Sequence, residues 1–65
     1  MEAKFVIFKD SAGQYRFHLE APNAEIIAAS EGYSTRQACL DGITAIRKYA
    51  LIARIVDRTL SPFAL

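Results

Sequence analysis

The clearest pattern in the chain is a strict alternation of apolar and polar side chains on both sides of residue 18. Such a period of two predicts a β-strand with one face on a core and the other face in water. The apolar set is Tyr15, Phe17, Leu19 and Ala21, and the polar set is Gln14, Arg16, His18 and Glu20.

Two shorter segments flank this strand and predict an antiparallel meander. The apolar run between Lys4 and Lys9 is too brief for a stable helix and favours a strand, and residues 25–30 favour a third strand. The turn after the first strand contains Asp10 and Gly13, both typical of chain reversals. In the second turn, Pro22 presets φ at its second position, and Asn23 at its third is a residue that tolerates the left-handed conformation.

An apolar stripe with helical spacing follows the predicted strands. Ser34 with Gln37 three residues later is typical of a capping box, which predicts a helix beginning there. Gly42 lies beside the stripe, and we expect it to permit close approach between helix and sheet. We also expect Cys39 to be a small core residue. The stripe consists of Cys39, Ile43, Ile46 and Ala50.

The segment after Tyr49 has two interpretations. No Gly or Pro interrupts residues 50–53, so the helix could simply continue. Ile55, Val56 and Thr59 suit either a helical face or, being β-branched, a strand.

Composition predicts that this chain needs a partner. A single domain of 65 residues rarely gains more than about 3–5 kcal/mol from its own core. Cys39 is the one cysteine and His18 the one histidine, which excludes an internal disulfide and the usual zinc ligand set within one copy. Because 52% of the residues are hydrophobic and the mean hydropathy is +0.13, we expect the chain to oligomerise, and we expect no cofactor.

Charge and targeting features disfavour several classes of partner. Eight basic and seven acidic residues give a net charge of +1 and are interleaved along the chain, which disfavours nucleic acid and anionic membranes as default partners. No signal-peptide pattern and no apolar run of membrane-spanning length occur in the sequence. We therefore expect a cytoplasmic protein without a membrane partner.

The chain resembles the YegP-like family of small uncharacterised bacterial proteins. The resemblance spans roughly residues 3 to 59, and its most specific part is the run from Ser30 to Tyr33 followed by a helix carrying Gly42 and Ile43. Asn23-Ala24 stands where the family usually has Asn-Gly. The other matching positions are Phe5, Ile7, Lys9, Asp10, Gly13, Tyr15, Arg16, Phe17, Leu19, Ala21, Asn23, Glu25, Ile27, Cys39, Lys48 and Asp57.

The resemblance implies an α+β fold built from an antiparallel β-β-β-α-β unit, with one helix packed on the sheet. In such proteins two units share one core, either as tandem repeats in one chain or as two copies of a single-repeat chain, and the C-terminal segment either stays in its own unit or is exchanged between the two. For this chain the resemblance implies a homodimer. On this basis we expect one domain over residues 1–60, a last strand near Arg54 to Thr59, and a loose tail over residues 61–65. The family brings no established activity, and therefore no catalytic or binding residues.

Candidate chemistry is confined to the polar face of the central predicted strand, where Arg16, His18 and Glu20 could face a ligand. A Cys-His catalytic pair needs both groups within hydrogen-bond reach, whereas Cys39 is predicted on the other side of the sheet. We therefore expect a binding or structural module and no enzyme. The alternative is weak nucleic-acid binding through Arg16, His18, Lys4 and Arg47, with Val6 and Phe8 on the same outer face as Arg16 and His18.

Overall fold

The computed structural model describes residues 1–59 and contains a three-stranded antiparallel sheet followed by one helix. β2 lies in the centre of the sheet, in the order β1-β2-β3, which confirms the predicted meander and the α+β class. Within the described residues no helix is both long and apolar enough to cross a membrane. The elements are β1 (Lys4–Lys9), β2 (Tyr15–Glu20), β3 (Ile26–Ala29) and α1 (Arg36–Tyr49).

The core lies between β2 and the first half of α1. Phe17 from the strand meets Cys39 and Ile43 from the helix, and these three side chains are buried. Cys39 has no exposed surface, which confirms that it is a core residue. Partly buried side chains surround this cluster: Phe5, Ile7, Tyr15 and Tyr33.

Gly42 allows α1 to approach the sheet closely, as the sequence predicted. A Cβ atom at this position would lie 2.5 Å from the hydroxyl oxygen of Tyr33 and 3.5 Å from Cε2 of Phe17. The backbone of Tyr33 pairs with that of Tyr15 through two hydrogen bonds of 2.7 and 2.8 Å. Tyr33 therefore forms an isolated bridge to β2 outside the three strands, and the absent side chain of residue 42 makes room for its ring.

The helix begins one residue later than predicted. Thr35, with extended backbone angles, is the N-cap, and its Oγ1 accepts a hydrogen bond of 3.1 Å from the amide of Ala38. The Ser34 capping box is therefore wrong, and the Gln37 side chain donates instead to Asp41, at 3.0 Å. Both hydroxyl residues are good caps, so composition alone could not choose between neighbours.

The second turn takes its left-handed residue at Ala24, where φ is +69°, and not at Asn23, the residue type that tolerates this conformation more readily. The amide of Ala24 donates to the carbonyl of Ala21 at 2.9 Å. The side chain of Asn23 accepts a hydrogen bond from the amide of Glu25 at 3.1 Å. Asn23 thus stabilises the turn through its side chain, while Ala24 carries the backbone strain.

Replacing Ala24 by Gly is expected to stabilise the fold. The left-handed conformation costs an L-residue about 1–2 kcal/mol, and glycine removes this cost. Glycine also destabilises the fold by about 0.4–1 kcal/mol, because it gives the unfolded chain more conformational freedom. The net gain is about 0.5–1 kcal/mol, measured as a higher urea midpoint at unchanged slope. Ala12→Gly, in the first turn and without positive φ, is the control and is expected to lose stability. Equal losses for both variants would contradict the strain at Ala24.

The segment after α1 forms neither of the two predicted structures. The helix ends at Tyr49 with Ala50 as its cap, and the amides of Ile52 and Ala53 donate to the carbonyl of Tyr49. The strand predicted near Arg54 to Thr59 is not formed in this structure, since residues 53–57 lie in no helix or strand. The predicted tail, residues 61–65, lies outside the described part of the chain.

Candidate functional site

The outer face of the sheet, away from α1, carries the three predicted ligand-facing residues. In the β1–β2 register, Val6 lies opposite His18 and Phe8 lies opposite Arg16. Alternation along β2 places Arg16, His18 and Glu20 on the face opposite to buried Phe17. The structure therefore brings the predicted set together, with two apolar neighbours from β1.

His18 is paired within this face. Its Nε2 lies 2.7 Å from Oε2 of Glu20, and its ring centre lies 5.5 Å from that of Phe8. The side chains of His18 and Glu20 expose only 18% and 19% of their surface. The sequence indicated a solvated His18, but the Phe8 ring and the Glu20 carboxylate cover much of the imidazole.

Arg16 is held by the first turn. Its Nε donates to Oδ2 of Asp10 at 2.6 Å, and its Nη1 donates to the carbonyl of Ser30 at 3.3 Å. The other carboxylate oxygen of Asp10 accepts hydrogen bonds from the amides of Ala12 and Gln14. Arg16 thus ties β2 to the turn after β1 and to the end of β3.

The Arg16 guanidinium beside Asp10, together with the Gln14 amide, lowers the pKa of the Asp10 carboxyl below its ordinary value. A carboxyl with a lowered folded pKa stabilises the fold above its ordinary pKa of about 4, and this contribution is lost as the pH falls through the folded pKa.

Asp10→Asn is expected to lower stability at neutral pH, because asparagine keeps an acceptor for the turn amides but loses the charge that faces Arg16. The difference in the free energy of unfolding between Asp10→Asn and the unchanged chain should shrink as the pH falls from about 4 through the lowered pKa of Asp10. Urea unfolding of both proteins near neutral pH and near pH 3 measures it. A stability difference that is the same at both pH values would contradict an ionic role for Asp10.

The described residues do not assemble an evident catalytic or metal centre. Cys39 is buried on the other side of the sheet from His18, so this thiol and this imidazole do not meet. Within residues 1–59 no group of three or more metal-ligating side chains occurs. The outer face offers one carboxylate–imidazole pair and one carboxylate–guanidinium pair, and each group already has an internal partner.

The four residues of the nucleic-acid hypothesis do not share one surface. Lys4 lies on β1 opposite Glu20, on the same face as Arg16 and His18. Arg47 lies in the last turn of α1, which packs on the opposite face of the sheet. Nucleic-acid binding through these residues stays a prediction.

A second surface, which the sequence did not single out, lies on the C-terminal half of α1. Ile46 was predicted to be buried with the helical stripe, but it is 39% exposed, and Tyr49 is 53% exposed. The sheet covers the stripe only as far as Ile43. An apolar groove of about 380 Å³ remains there, called the α1 groove, and its lining residues are Ala45, Ile46, Tyr49, Ala50 and Ala53.

The exposed apolar surface continues beyond the helix. Leu51 and Ile55 are 94% and 95% exposed, and Ile52 and Val56 are also exposed. This set is called the C-terminal apolar segment. The hydrophobic surplus of the composition was the one sequence signal that could have indicated it.

The family model that matches this chain is "Domain of unknown function (DUF1508)", over residues 10–57. A UPF0339 protein of Treponema denticola is 44% identical over 57 residues, which cover 88% of this chain and 98% of that protein. A UPF0339 protein of Stutzerimonas stutzeri is 44% identical over 50 residues, covering 77% of this chain but only 45% of that protein.

A solution NMR structure of a protein from Haloferax volcanii has the same fold. It is 33% identical to this chain, with a TM-score of 0.81 over 86% of this chain and 95% of that one. Since archaeal relatives occur, the expectation of a purely bacterial family was too narrow. The chain belongs to the DUF1508 family of UPF0339, or YegP-like, proteins.

Proposed function

We propose that this protein is a non-enzymatic binding or structural module that works as a homodimer, in which each copy covers the apolar surface of the other. The observation that carries the proposal is the C-terminal apolar segment, whose large side chains lie in water in one copy. Pairing of the outer-face groups with one another supports a role without catalysis.

The two edges of the sheet differ, and one of them suits a strand from a second copy. β1 begins and ends with lysine, a common protection of edge strands against pairing. β3 contains Ile26, Ile27 and two alanines without any charge, and both isoleucines are 60% exposed. We propose that residues 53–56 of the second copy add a strand to the β3 edge.

The lengths of the relatives also support two units. The matched segment covers 45% of the Stutzerimonas stutzeri protein and 98% of the Treponema denticola protein. The longer relative is thus more than twice the length of the match and has room for a second unit in one chain. Two copies of a short chain would be the equivalent arrangement.

Sedimentation velocity of the full chain over a range of concentrations tests the proposal. We expect a dimer at micromolar concentration, with monomer appearing only on dilution. A folded monomer at every concentration up to about 100 μM would mean a free energy of association weaker than about 5.5 kcal/mol and would overturn the proposal.

A further inference from the structure

We infer that the α1 groove is a helix-to-helix contact, in which the same face of α1 from a second copy is seated. This inference rests on the proposed homodimer and adds the surface on which the two helices meet. It concerns a different part of the molecule from the β3 edge, so each contact can be tested while the other is left intact.

The composition of the groove favours a protein helix as its occupant. Every side chain that lines it is apolar or tyrosine, as is typical of the centre of an interface. The last turn of α1 carries Arg47 and Lys48, and Nζ of Lys48 lies 5.3 Å from the centre of the Tyr49 ring. An apolar centre with cations beside it matches the core-and-rim arrangement of protein interfaces.

The groove is also suited to a copy of itself. A two-fold interface uses the same patch on both subunits, so each patch must contain both projections and hollows. Ile46 and Tyr49 supply large side chains, while Ala45, Ala50 and Ala53 leave space between them. Facing alanines allow two helix axes to approach at the short end of the usual 8–10 Å range.

The position of the groove argues for a second copy in particular. The C-terminal apolar segment, which the proposed homodimer covers, begins at Leu51, within the run of residues that line the groove. One second copy could therefore cover the α1 groove and the C-terminal apolar segment as a single continuous surface. Residues 60–65 of the same chain are the alternative occupant, and the experiments below distinguish them.

The first experiment places the same charge on two sides of α1. Ala45→Glu puts a carboxylate into the groove, whereas Thr44→Glu puts it about 100° around the helix, away from the groove. Both residues are exposed in one copy, so neither change disturbs its core, and circular dichroism checks the fold. In sedimentation, Ala45→Glu is expected to raise the dimer dissociation constant at least tenfold, and Thr44→Glu less than threefold.

The second experiment uses disulfide formation across the two-fold axis. Single cysteines replace Ala45, Ala50 or Ala53, and Thr44→Cys is the control; the native Cys39 is fully buried and is expected to stay unreacted in the fold. A disulfide needs Cα atoms within about 7 Å, so at least one groove variant should form covalent dimers under mild oxidation while Thr44→Cys does not.

The outcomes separate the two proposals. A dimer that tolerates Ala45→Glu and yields no groove disulfide would overturn the groove contact and leave the proposed homodimer standing. A groove cysteine that resists alkylation in a monomeric sample would assign the groove to residues 60–65 and overturn the contact as well. An unmodified chain that is monomeric throughout would overturn the proposed function, and the groove contact with it.

Discussion

Phe17→Ala is expected to leave the chain largely unfolded. Phe17 is 2% exposed, its ring lies edge-on to Phe5 at 5.8 Å and stacks on Tyr33 at 6.3 Å, and it joins β2 to α1. Truncating a buried phenylalanine costs about 3–5 kcal/mol. A core of this size supplies about that much in total, so one substitution removes most of the net stability.

Phe8→Ala is the matched control, because it makes the same truncation on the outer face. The Phe8 side chain is 41% exposed and contacts the ring of His18, so we expect a loss of about 1–2 kcal/mol and a folded protein. Circular dichroism and urea unfolding of both variants measure the difference. A folded Phe17→Ala protein with a loss no greater than that of Phe8→Ala would contradict the assignment of the core.

Ile55→Asp is expected to weaken the dimer at least tenfold while leaving each copy able to fold. In one copy this side chain is 95% exposed, and surface substitutions of this kind normally change stability by less than about 0.5 kcal/mol. In the proposed dimer the same side chain is covered. Losing the burial of an isoleucine then costs about 1.5–3 kcal/mol, and each 1.4 kcal/mol is a factor of ten in the dissociation constant.

The control for Ile55→Asp is Ala3→Asp, which adds the same charge at an exposed residue before β1. Sedimentation of the two variants is compared with that of the unchanged chain. If Ile55→Asp dissociates no more readily than Ala3→Asp, the C-terminal apolar segment is not part of the interface.

Features that depend on local periodicity could be predicted from the sequence. The alternation around His18 predicted β2 and its two faces, and the stripe from Cys39 predicted α1 and the buried thiol. Gly42 could also be interpreted, because glycine in a helix interior is unfavourable without a packing reason, and the ring of Tyr33 supplies that reason. Each inference needed only residues close together in the sequence.

Contacts between side chains of separate elements could not be predicted in the same way. Arg16 is joined to Asp10 across six positions and to Ser30 across fourteen, and both contacts depend on how the strands pair. Ser30 is a further example, since its hydroxyl accepts from the Phe17 amide and donates to the Glu31 carbonyl. Periodicity indicates which face a residue occupies, but it does not indicate the partner on that face.

The segment after Tyr49 was ambiguous for a physical reason. Ile52, Ile55 and Val56 are strongly apolar, but one copy of the chain provides no described surface that buries them. When such side chains are buried only against a second molecule, the sequence shows that they are apolar but does not show which surface buries them. The same condition explains why residues 53–57 form no strand here, although the family resemblance implies one.

The most direct test of mutual covering is an NMR experiment on a mixture of isotope-labelled and unlabelled chains, filtered for nuclear Overhauser effects between copies. We expect the methyl groups of Ile52, Ile55 and Val56 in one copy to give such effects to protons of the other. Effects from these methyl groups that arise only within one copy, in a sample at millimolar concentration, would contradict the homodimer.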